Sequence, residues 1–73
     1  MPDSETDSIA QRYETAAAEL VAAAEHLRTS AQHARNREGG RVGAHGFAAY
    51  GHLVRAQQLL AELASEHAAR SRP

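Results

Sequence analysis

Five histidines in a chain of 73 residues are its main chemical resource. His26 and His33 stand seven apart, and so do His45 and His52. Seven residues are two helical turns, so each pair occupies one face of a helix. If the two segments run antiparallel, the four imidazoles fall into two facing layers. Neutral imidazole is a versatile transition-metal ligand, and facing histidines on bundle helices can hold a metal or a haem. His26, His33, His45 and His52 are therefore the candidate ligands of a metal or haem site. Against that reading, no H-E-x-x-H, no Glu-x-x-His and no i, i+4 histidine pair is present. A wheel centred on Leu20 also turns His26 and His33 by about 120–140°, too far outward to meet the other pair. His67 falls on the stripe of Leu53 and Leu60, within reach of Tyr13.

Other chemistry has less support. Cysteine is absent, which excludes disulfides, thiolate nucleophiles and cysteine-bound metal. The serines lie in no nucleophile motif, and the glycines spell neither a P-loop nor G-x-G-x-x-G. Glu62, Glu66 and Arg70 follow one another at intervals of four on the most polar face of the second segment, an exposed face with one weak helical ion pair. A protein without enzymatic activity, and without an obligatory cofactor, is expected.

Positioning the histidines requires helices, and the composition supplies them. Alanine accounts for 17 residues against 6 leucines; it favours helix and buries little surface, so the core is thin. Met1–Asp7 is acidic and reads as a disordered tail. Ser8 with Gln11 has capping-box spacing, and a helix is expected from about 8 to 37. Along it Ile9, Ala16, Ala23 and Ser30 share one heptad position and Tyr13, Leu20, Leu27 and Ala34 another. Gly39 and Gly40 read as a left-handed C-cap and turn over 38–43, and a second helix follows from about 44 to 70. Gly46, on the stripe of Leu53 and Leu60, suggests a close helix crossing. The expected fold is all-α, an antiparallel two-helix hairpin.

On the second helix apolar side chains spread over about 240°, far wider than the roughly 100° stripe that one neighbour covers. Hence the hairpin is expected to dimerise into a four-helix bundle, with itself as first partner and another protein as a further one. Val21, Phe47, Tyr50, Val54 and Ala61 are the interface candidates, on the flank opposite the histidines.

Charge is uneven along the chain. Residues 1–25 carry six acids and one arginine, whereas residues 26–73 carry seven arginines and three glutamates. Arg35, Arg37 and Arg41 cluster at the turn, where they could bind RNA or another anion. In an antiparallel dimer they would instead face the acidic end of the neighbour, and that reading explains both charge blocks. Nucleic acid is not the expected partner. No apolar run approaches the ~18 residues of a membrane span, and a cytoplasmic location is expected.

Overall fold

The computed structural model describes residues 4–71 and consists of two helices, α1 (Ser4–Arg35) and α2 (Gly39–Arg70), joined by a three-residue turn. Each helix has 32 residues, about 48 Å at 1.5 Å per residue, and they run antiparallel along a body of 53 × 29 × 13 Å. The hairpin expected from sequence is present. No described helix is long and apolar enough to cross a membrane.

Both helices begin earlier than the starts expected near residues 8 and 44, α1 at Ser4, where Ser4 with Asp7 gives a weaker start signal. Residues 4–7 of the expected acidic tail are helical, and residues 1–3 lie outside the described residues. Glu5 and Asp7 sit in the first turn of α1, where negative charge favours helix. Ser8 is thus no cap; its carbonyl accepts from Arg12 Nε at 3.4 Å within the helix.

The turn is built without glycine. Glu38 N–H donates to the His33 carbonyl at 2.9 Å and Arg37 N–H to that of Ala34 at 3.0 Å, the paired bonds of a Schellman cap. Arg37 holds the left-handed conformation at φ 59°. Gly39 and Gly40, expected to form the cap, instead open α2 with negative φ. Glu38 precedes them as N-cap, and its carbonyl accepts from Arg41 and Val42 N–H.

Residues buried along the seam recur every seven positions: Ala16, Ala23 and Ser30 on α1, and Ala49, Ala56 and Leu63 on α2. Ser30 Oγ donates to the Val42 carbonyl at 3.0 Å, which satisfies the buried hydroxyl. The stripe of Tyr13, Leu20 and Leu27 does not form the core; these side chains are 54, 44 and 57% exposed. Methyl side chains allow the helices to approach closely, and the larger residues are left flanking the seam. Gly46 needs no such closeness, because a Cβ there would meet nothing within 4 Å.

Candidate functional site

The two flanks of the seam differ completely in chemistry. One carries a polar ladder. On α1 it is written at positions 5, 12, 19, 26 and 33, and on α2 at 38, 45, 52 and 66, with Leu59 the one apolar residue in that α2 series. With the seam on Ala16 and Ala23, a residue three positions further lies only about 60° from it, close enough to reach across. Arg12 grips Glu66 with both guanidinium prongs, one nitrogen at 2.9 Å from Oε1. Glu19 receives His52 Nδ1 at 2.9 Å and has Arg55 Nε at 3.6 Å. At the free end Arg70 pairs with Glu5 at 3.2 Å. Glu66 and Arg70 thus reach across to α1 and do not form the exposed helical pair that their spacing suggests.

All four candidate histidines meet in the turn half of this ladder. His26 Nδ1 lies 3.0 Å from His45 Nδ1, with ring centroids 5.2 Å apart. His52 stacks on His26 at 5.3 Å with 18° between the planes, and His33 on His45 at 5.3 Å with 23°. The outward orientation expected of His26 and His33 is therefore corrected. It followed from centring the wheel on Leu20, whereas the seam runs through alanine. Glu38 closes the ladder: its carboxylate is 3.3 Å from His33 Nδ1, without hydrogen-bond geometry, and 3.1 Å from Arg41. Among the described residues no three His, Asp or Glu side chains converge on a common point suited to a metal ion. His67 and Tyr13, the expected core-edge pair, are both exposed.

The opposite flank is an apolar groove. Leu20, Ala23, Ala24 and Leu27 of α1 and Gly46, Ala49, Tyr50 and Leu53 of α2 enclose about 400 Å³, and a shallower hollow continues past Val42, Gly43 and Phe47. Phe47 is 82% exposed, Tyr50 64% and Val21 58%. Val54 is half-buried, Ala61 is exposed, and neither lines the groove; nor does Val21. Leu20, Leu27 and Leu53 do line it, and sequence reasoning missed them because their size suggested the hairpin core.

Arg35, Arg37 and Arg41 are all exposed around the turn, with Arg41 tied to Glu38. The chain is thus a helical hairpin with an alanine seam, an imidazole–carboxylate ladder on one flank and a greasy groove on the other. No protein-family model, curated protein or solved structure matches it.

Proposed function

We propose that the protein is a non-enzymatic, self-associating helical bundle that serves as an adaptor, regulator or scaffold for another protein. The carrying observation is the apolar flank: its large side chains are the exposed ones, while the seam buries only small residues and Leu63. Contiguous exposed apolar surface of this kind marks an interaction site. A two-helix hairpin of this size with so thin a core also needs further burial to be stable. A second hairpin laid on the groove supplies that burial and completes four helices.

Charge favours an antiparallel arrangement of the two copies. The turn end presents Arg35 and Arg37, with Arg41 tied to Glu38, and the free end presents Asp7 and Glu14, with Glu5 tied to Arg70; all of these except Glu38 are exposed. Light scattering of the full chain at micromolar concentration tests the proposal. A mass of at least two chains is expected, and Phe47→Asp should return a monomer with reduced helicity. A stable, folded monomer of 7.8 kDa would overturn it.

A further inference from the structure

We propose that His26 and His45 form a two-histidine site for a tetrahedral divalent ion such as Zn²⁺, placed between the helices and completed by two waters. The two Nδ1 atoms face each other at 3.0 Å. Without metal this contact is a hydrogen bond, with one ring donating Nδ1–H and the other accepting through its lone pair.

The ring positions already suit the ion. A tetrahedral centre about 2.05 Å from each nitrogen sets the nitrogens about 3.3 Å apart and the imidazole centroids about 5.2 Å apart. The observed centroid separation is 5.2 Å. Metal entry needs each ring to tilt so that both Nδ1 lone pairs converge off the N···N line. It also needs a tautomer change in the donating ring, whose proton passes through solvent from Nδ1 to Nε2, so that both ligands stay neutral.

Outer partners hold both ligands in place. His52 stacks on His26 and is itself fixed by Glu19, while His33 stacks on His45 beside Glu38. Such buttressing restricts ligand rings to the productive orientation. Arg55 and Arg41, paired with those carboxylates, balance their charge without standing between the two Nδ1 atoms. No third protein ligand converges on the pair among the described residues, so two positions remain for solvent, and the ion is exchangeable rather than locked in.

Cobalt titration of the tag-free full chain, stripped with chelator and held at about pH 7.5, tests this directly. The expected result is one Co²⁺ per chain with the intense visible bands of tetrahedral coordination, displaced by Zn²⁺. His26→Gln and His45→Gln should each weaken binding at least tenfold, with His67→Gln unchanged and helicity followed in every variant. Absence of tetrahedral bands in the parent chain would overturn the proposal, whatever the variants do. So would tetrahedral binding that survives both His26→Gln and His45→Gln.

Discussion

Arg12 and Glu66 lie 54 residues apart in the chain and form a two-pronged guanidinium–carboxylate pair that ties the N-terminal part of α1 to the C-terminal part of α2. The hydrogen bond from Arg12 holds the Glu66 carboxyl below the ordinary glutamate range, and the charges of Arg12 and Arg70 add to it against a smaller cost of desolvation. Because the folded-state value is lowered, the pair stabilises the hairpin fully above the unfolded glutamate value of about 4.3. That contribution is lost as pH falls through the folded value. Melting temperature should drop between pH 5 and 3 by less in Glu66→Gln than in the parent chain. Equal slopes would show that the pair contributes nothing, as exposed ion pairs often do.

Ala56 is the most buried residue of the hairpin, at 1% exposure. The three extra heavy atoms of a leucine fit there only by forcing the helices apart. Ala56→Leu should therefore destabilise the fold by about 1–3 kcal/mol despite its greater hydrophobicity. Thermal denaturation at several chain concentrations checks it. A more stable variant would mean that the helices do not meet through alanine.

Arg37 adopts a left-handed conformation that costs a side chain about 1–2 kcal/mol and glycine far less. Arg37→Gly should stabilise the chain by about 1 kcal/mol, which for a domain of this size is about 4–8 °C in melting temperature. The larger backbone freedom of glycine in the unfolded chain trims the gain. A lower melting temperature would show that the arginine side chain makes a compensating contact.

The hairpin and the seven-residue matching of the histidines were legible because spacing alone carries them: 26 with 52 and 33 with 45 follow from any turn near residue 39. What was not legible was the face. Two heptad positions recur equally well on α1, and side-chain size argues for Leu20 and Leu27 where the fold uses Ala16 and Ala23. Rotating the seam by that one step moves the leucines into the groove on one flank and brings the histidines in from the outside to the seam's other flank. The turn misled for a related reason. Glycine is the usual left-handed residue, yet a capping arginine serves here, and Gly39 and Gly40 are helical because α2 packs along α1 from its first turn.

The alternation of charge at Glu5, Arg12 and Glu19 has a consequence for alignment. Alanine seams are poor at specifying register, since Ala16 and Ala23 look alike to Ala49 and Ala56, and sliding one helix by a heptad places methyl on methyl again. Slippage by seven in either direction, however, takes Glu66 from Arg12 to a carboxylate, Glu5 one way and Glu19 the other. The neighbouring frames thus exchange an attraction for a repulsion, as polar positions do in coiled coils. The thin core lets the helices touch, and the ladder tells them where.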